Sequence, residues 1–270
     1  RIFLYILLIG ISTLISCSGS PDPLYPRYTT FPDEKIVATQ EISIDSAFFR
    51  YPYRVAVKDS IAIIMDLHNE AITFYAFTYP EWKPIAPFGK RGEAPGEMLS
   101  AEMFQFSALD SVWTLDANRM LISAGLSLDG QDRLRKEEIR LEKTLVRSLD
   151  FYRTDSAFLI TNYLGDFRYH KVSHSGKPIK NIGKIPTEIS YEQDIHPALA
   201  QAWRSFTDYN PKNGIYAMAT QLGEALKYQS KNQTHNVIYG PAGEPQFIAK
   251  GGEGFPTGIK GFVDIQVTDD

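Results

Sequence analysis

One unit recurs along this chain, a strand, a tight turn and a second strand, and it restricts the fold more than any other feature. Residues 54–58 lead through Asp59-Ser60 to residues 61–66. Residues 104–109 lead through Asp110-Ser111 to 112–116, and residues 149–154 through Asp155-Ser156 to 157–161. The flanks are rich in β-branched and aromatic residues, which suit a pleated, half-buried surface. Asp and Ser suit the turn because their side chains hydrogen-bond nearby backbone groups. A looser fourth unit runs from 206–210 through Asn213-Gly214 to 215–219, and Asn-Gly is a strong hairpin signal. A fifth begins at 262–267, shortly before Asp269-Asp270.

The turns at 59, 110, 155 and 213 lie 51, 45 and 58 residues apart. Each interval leaves room for further strands, expected at 71–78 and 82–87, at 169–174 and 179–185, and at 226–230 and 235–239. A period of roughly 40 to 50 residues with four strands per unit belongs to propeller blades. The expected fold is therefore all-β, a β-propeller of four-stranded antiparallel blades, with about four blades and the start of a fifth present. A β-sandwich with evenly spaced hairpins is the competing architecture.

Between the first and second units lies Phe88-Gly89-Lys90-Arg91-Gly92-Glu93-Ala94-Pro95-Gly96-Glu97. Glycine permits positive φ, and Pro95 presets its own φ while pushing Ala94 toward an extended shape. Such a stretch marks where the chain leaves one sheet and starts another. Weaker copies are Ile182-Gly183 and Tyr239-Gly240-Pro241-Ala242-Gly243-Glu244-Pro245. In 131–147, Ile139 and Leu141 alternate with charges as in an outer-edge strand, which is preferred over an amphipathic helix. The mixed-sign charges of 132–143 read as a solvated face. Residues 192–206 read as a short helix with Pro197 in its first turn, inserted between the third and fourth blades.

The N-terminus carries an address. Residues 2–15 are uncharged and mostly apolar, too short to span a bilayer and suited to a signal-peptide core. The run ends in Leu14-Ile15-Ser16-Cys17, which resembles the bacterial lipobox, and Cys17 is the single cysteine of the chain. With no second cysteine for a disulfide, acylation explains it better than redox chemistry. The expected division is a signal peptide at 1–16, a lipid-anchored Pro-rich tether at 17–34 and the propeller domain at 35–270. Ser18 after the acylated cysteine favours the outer membrane, within the cell envelope. Arg1 is not a start methionine, so part of the leader is expected to precede it.

Phe88-Gly89-x-x-Gly92-x-x-Pro95-Gly96-Glu97, taken with the blade repeats and the lipobox, resembles the bacterial TolB-like six-bladed β-propeller lipoproteins over residues 17–270. The loop is the specific part, since Asp-Ser hairpins occur in many propellers. The resemblance implies six blades. Two more would need on the order of 80 to 100 further residues, so a C-terminal truncation is expected, with a strand at 35–46 helping to close the ring.

A net charge of -4 and a pI near 5.8 argue against nucleic-acid binding, which needs clustered Lys and Arg. No nucleophile-elbow, phosphate-loop or zinc-protease motif is present in the sequence. His170 and His174 on one strand would stand about 13 Å apart, too far to share a metal. No metal, cofactor or catalytic residue is therefore expected. Aromatics in expected loops, Tyr79, Trp82, Tyr163, Phe167 and Tyr191, are candidates to stack on a sugar or peptide. The expected function is a membrane-anchored, non-enzymatic binding module for a peptide, glycan or partner protein. The alternatives are a propeller enzyme, a metal-dependent lactonase-like hydrolase or a lyase with an axial site drawn from several blades, and a scaffold subunit.

Overall fold

The computed structural model describes residues 27–28, 35–36, 38–44, 47–106, 112–124, 137–145, 148–154, 156–163, 165–185, 187, 189–221, 225–230, 233–239, 244–251, 253–258 and 261–269. Cys17, most of the tether, Asp110-Ser111, Asp155 and the 240–243 glycine turn lie outside the described residues.

A short strand, β1 (Arg27–Tyr28), precedes the blades. Blade 1 is β2 (Pro52–Lys58), β3 (Ile61–Asp66), β4 (Ile72–Thr78) and β5 (Pro84–Lys90). Blade 2 is β6 (Ala101–Phe106), β7 (Val112–Asp116), β8 (Leu121–Ala124) and β9 (Glu137–Arg140). Blade 3 is β10 (Phe151–Arg153), β11 (Phe158–Thr161), β12 (Phe167–Val172) and β13 (Pro178–Lys184). A 3-10 turn at Gln193–Ile195 and helix α1 (His196–Ala202) follow, confirming the insertion. Blade 4 is β14 (Ser205–Asn210), β15 (Ile215–Thr220), β16 (Ala225–Ser230) and β17 (Gln233–Tyr239), and β1 adds to its outer edge in parallel with β17. The hairpin of β18 (Phe247–Lys250) and β19 (Glu253–Pro256) completes the described strands. Within each blade the strands form an antiparallel meander in chain order.

The local reasons for the turns are visible. Asp59 adopts φ 52° between β2 and β3, and Gly214 adopts φ 69° between β14 and β15. Asn213 Oδ1 accepts the Ile215 N–H at 2.9 Å, as an Asx turn requires. Gly89 and Gly183, each one residue from the end of its blade's outer strand, share φ of 72° and 69°. Each lies between two pairs of one continuous register, Phe74–Phe88 and Ile72–Lys90 for Gly89, and Tyr169–Ile182 and Phe167–Lys184 for Gly183. The glycine exits are therefore one device used twice.

The core lies between blades. Ile63, Met65, Phe74 and Phe88 of blade 1 meet Ala101, Phe104 and Val112 of blade 2, with Phe74 stacked on Phe88 at 5.1 Å and edge-on to Phe104 at 5.5 Å. Met103, Trp113, Leu115, Ile122 and Ile139 of blade 2 meet Phe151, Phe158, Ile160 and Val172 of blade 3. Of the 131–147 stretch, residues 137–140 form the outer-edge strand β9; Ile139 and Leu141 are buried while Glu137, Glu138, Arg140, Glu142 and Lys143 are exposed, and 141–145 continue as a turn.

Asp66 and Asp116, closing the second strands of blades 1 and 2, are buried. The Asp66 carboxylate accepts the N–H groups of Arg50 and Tyr51 at 2.7 and 2.8 Å, and Asp116 accepts those of Leu99 and Ser100 at 2.6 and 3.3 Å. In blade 3 the hydroxyl of Thr161 takes this position and accepts the Asp150 N–H at 3.3 Å. These side chains satisfy backbone groups that no ladder reaches where each inner strand begins.

Two expected strands are absent. The described residues of 35–46 join no sheet; Ile44, with Ala47 and Phe49, packs by side chain alone on Ala62, Ile64 and Phe77 of blade 1. Residues 262–267 are also not a strand. They run along blade 4: the Phe262 N–H donates to the Thr220 carbonyl at 3.2 Å, and farther on side chains hold the segment, Asp208 Oδ2 accepting the Val267 N–H at 2.7 Å and the Asn213 amide donating to the Thr268 carbonyl at 2.8 Å. Bonds of this kind fix a segment without building a ladder. Val55 and Val57, on the same side of blade 1 as Ile44, are 60% and 39% exposed, so that face has no blade against it among the described residues.

Candidate functional site at the axial mouth

The inner strands β2, β6, β10 and β14 begin at the same end of the molecule, and there the chain gathers charge. Arg54 of β2 places Nη2 at 4.0 Å from Asp150 Oδ2 at the start of β10, and Nη1 at 3.5 Å from Asp264 Oδ1 on the segment beside β14. Arg204, just before β14, lies within electrostatic reach of Asp150, Tyr163, Tyr53 and Glu102. Both guanidinium groups flank the Phe206 ring, at 5.9 Å for Arg54 and 5.5 Å for Arg204, and Arg54 also lies 5.5 Å from the Tyr53 ring. All four blades contribute, and so does the C-terminal segment.

The electrostatics follow from burial. The Asp150 side chain is 2% exposed, and its Oδ2 has no hydrogen-bond partner among the described residues. Loss of solvent raises its pKa from 3.8 to about 6, against the opposing pull of Arg54 and Arg204 and the 3.0 Å bond from the Phe151 N–H. Burial also pushes the Tyr163 phenol up. The Nε atoms of Arg54 and Arg204 are buried and have no hydrogen-bond partner among the described residues. Charged, hydrogen-bonding and aromatic groups are therefore focused where water is scarce.

The Asp150 shift has a sign that can be measured. A carboxyl held protonated to about pH 6 in the folded state stabilises the fold fully below pH 4, and that contribution is lost as pH rises through 6. Two pKa units correspond to about 3 kcal/mol. Asp150→Asn should flatten this part of the stability–pH curve in urea melts, and an unchanged slope would show that Asp150 is not buried as described.

Among the described residues no three His, Cys, Asp or Glu side chains come together to hold a metal. His170 bonds Asn181 through Nδ1 at 2.8 Å, His174 packs on the Phe158 ring at 5.1 Å and His196 pairs with Asp166 at 2.9 Å.

The residues singled out from sequence fall in different places. In the 88–97 loop, the Glu97 carboxylate bonds Lys90 Nζ at 2.5 Å and accepts the Ala94 N–H at 3.0 Å. Gly92 has φ 151°, and a Cβ there would fall on the Glu97 carboxylate. Arg119, from the turn between β7 and β8, donates to the carbonyls of Glu93, Ala94 and Glu97. Phe88 is buried, Pro95 is exposed and Gly96 has φ 87°. The loop is a brace between blades 1 and 2.

Of the aromatics, Tyr163 and Phe167 lie at the mouth end of blade 3, while Tyr79 and Trp82 meet edge to face at 5.9 Å in the turn between β4 and β5, at the opposite end. Tyr191 packs on Phe247 at 5.8 Å beside α1. They do not form one binding face. Arg54, Asp150 and Arg204 escaped the sequence reading; their one signal is a charge at the beginning of an inner strand, where the blade pattern calls for an apolar residue.

Residues 30–270 match the family described as TolB-like 6-blade propeller-like. No curated protein matches the chain. Among solved structures, an exported protein of Bacteroides fragilis superposes with a TM-score of 0.56 at 11% identity, over 80% of this chain and 59% of its own. Virginiamycin B lyase from Staphylococcus aureus gives 0.45 at 12% identity, over 72% of this chain and 58% of its own. The chain thus spans under two thirds of the length of either. This chain belongs to the TolB-like six-blade propeller-like family.

Proposed function

We propose that the protein is an exported lipoprotein, anchored through Cys17 in the cell envelope, at the outer membrane. Its propeller serves as a non-enzymatic binding module for a peptide, glycan or partner protein. The observation that carries this reading is the mouth cluster. Arg54 and Arg204 flank one aromatic ring and one buried carboxylate, and their Nε donors have no partner among the described residues. Planar guanidinium donors and ring faces recognise carboxylates, hydroxyls and sugar or aromatic planes. The Bacteroides fragilis protein of similar fold is an exported one, which supports the address.

The test runs in two steps on the full-length gene product. Cys17→Ser should move the protein from the membrane fraction to the soluble one. That soluble form is then screened on glycan and peptide arrays beside an additional Arg54→Ala. Binding that falls about tenfold or more in the Arg54 variant, with an unchanged melt, is expected. Retention in the membrane would overturn the anchor, and indifference to Arg54 would overturn the mouth.

A second reading, the lactonase-like hydrolase or lyase, is favoured by one observation: the Asp150 pKa near 6 suits a proton donor or acceptor at neutral pH. Turnover of a lactone panel that vanishes in Asp150→Asn would select it.

A further inference from the structure

Arg54 has inner partners that belong to the blades and an outer partner that does not. Its Nη2 faces the buried Asp150 carboxylate at 4.0 Å, and the Tyr53 and Phe206 rings lie 5.5 and 5.9 Å from the guanidinium carbon. These groups orient the cation from within. Its Nη1 faces Asp264 Oδ1 at 3.5 Å, and the Asp264 side chain is 62% exposed where that of Arg54 is 13% exposed. A charge-assisted bond of this type closes to about 2.7–2.9 Å. The outer position is therefore filled, but loosely.

The segment that carries Asp264 is fastened to blade 4 on either side of it. Before it, the Gly261 and Phe262 N–H groups donate to the Gln221 and Thr220 carbonyls at 2.8 and 3.2 Å. After it, Asp208 accepts the Val267 N–H at 2.7 Å, and Asp269 accepts the Asn210 amide at 2.7 Å and Lys212 Nζ at 2.5 Å. Between these clamps Asp264 reaches from blade 4 to blade 1, with Val263 and Gln266 exposed and Ile265 half-buried beside it. A short acidic peptide, part of the chain itself, thus already rests on the guanidinium.

The chemistry of the position follows. An arginine fork pairs a carboxylate bidentately, a geometry that the single 3.5 Å contact of Asp264 does not reach. A cationic ligand would meet Arg54 and Arg204, and an apolar one that displaced Asp264 would leave Nη1 without an acceptor. We propose that the mouth binds an acidic peptide, whose aspartate or glutamate side chain takes the place of Asp264 on Arg54, and that Asp264 is a built-in competitor for it. This rests on the mouth being a binding site and names what enters it.

The test is fluorescence anisotropy of a labelled peptide with the sequence of residues 261–267, titrated with the full chain, with its Asp264→Asn variant and with that variant carrying Arg54→Lys. Asparagine keeps an acceptor for the Ile265 N–H, which Asp264 Oδ1 accepts at 2.9 Å, and an exposed ion pair adds little to stability, so the melt should not change. The peptide is expected to bind Asp264→Asn about tenfold tighter than the parent, because a tethered carboxylate no longer competes. Replacing the peptide's aspartate by asparagine should cost about tenfold, and so should Arg54→Lys, which keeps the charge and loses the planar fork. Equal affinity for the parent and Asp264→Asn, or indifference to the peptide's aspartate, would overturn the proposal. Arg54-dependent binding of trigalacturonate without binding of the peptide would overturn it as well, while leaving the mouth standing as a glycan site. Binding of neither in an Arg54-dependent way would overturn both this proposal and the reading of the mouth.

Discussion

Gly176→Ala is expected to cost about 3 kcal/mol of stability. Gly176 sits in the turn between β12 and β13, where its N–H donates to the Ser173 carbonyl at 2.9 Å and its own carbonyl accepts the Glu142 N–H at 3.1 Å. Its φ is +80°, which disfavours any side chain, and an added Cβ would stand 2.0 Å from the Arg140 carbonyl oxygen of blade 2. That atom is backbone at the end of β9, so it cannot swing aside as the tip of a long side chain could. The turn of blade 3 must therefore lift away from blade 2, opening an interface that buries Ile139 and Val172. For a chain of this size the melting temperature should fall by about 8 °C. Two glycines serve as controls. Gly251 has φ +61° with open space around it, so Gly251→Ala isolates the backbone term at about 1 kcal/mol. Gly165 has neither a close neighbour nor positive φ, so Gly165→Ala should be neutral. A Gly176→Ala melt no lower than that of Gly251→Ala would mean that blades 2 and 3 do not dock in this way.

Arg168→Ala should be comparably damaging, and Arg168→Met should not. Arg168 in β12 is buried, and among the described residues no carboxylate pairs with it. Its guanidinium donates to Ser205 Oγ at 3.1 Å and Thr220 Oγ1 at 3.2 Å, both in blade 4, and lies 4.8 Å from the Trp203 ring. Desolvation lowers its pKa, the mark of a charge held without full compensation. Truncation to alanine removes the strut between blades 3 and 4 and leaves a cavity, at a cost of about 3 kcal/mol. Methionine keeps the stem against Trp203 and removes the desolvated charge. Ser205 still donates to the Trp203 carbonyl at 3.0 Å, so that hydroxyl is not orphaned. The methionine variant should fall within about 1 kcal/mol of the parent. If methionine proved as damaging as alanine, the hydroxyl bonds rather than the packing would be what joins the blades. Urea melts of the two variants decide between these accounts.

Turns and periodicity were legible from sequence because they are short-range properties. The chain turns at Asp59 and at Asn213-Gly214 as those residues' chemistry says it should, and Gly89 and Gly183 take the same place near the end of the outer strand in two blades. The helix with Pro197 in its first turn and the edge strand around Ile139 follow from patterns within a dozen residues. The two misread strands fail for a complementary reason. Ile42 and Ile44 alternate as a strand would, and residues 262–267 are β-prone, but a strand exists only where a neighbour offers a ladder. Ile44 found a hydrophobic face instead, and the segment near Val267 found the side chains of blade 4.

The mouth cluster needed the whole fold. Arg54, Asp150 and Arg204 are single charges in three separate repeats, and a charge at the beginning of an inner strand is the one local sign that sets them apart from surface residues. They meet because a propeller brings the beginning of every inner strand to one axis, and they become unusual because that axis withholds water. The small core around Tyr191, Trp203 and Phe247 arises in the same way, from two excursions on either side of blade 4 that touch after the blades are stacked. Blade identity was written in the order of the residues, through turn chemistry and the alternation of buried and exposed positions. Which charges and rings would face each other depended on distances between blades, a quantity set by core packing and carried by no single stretch of the chain.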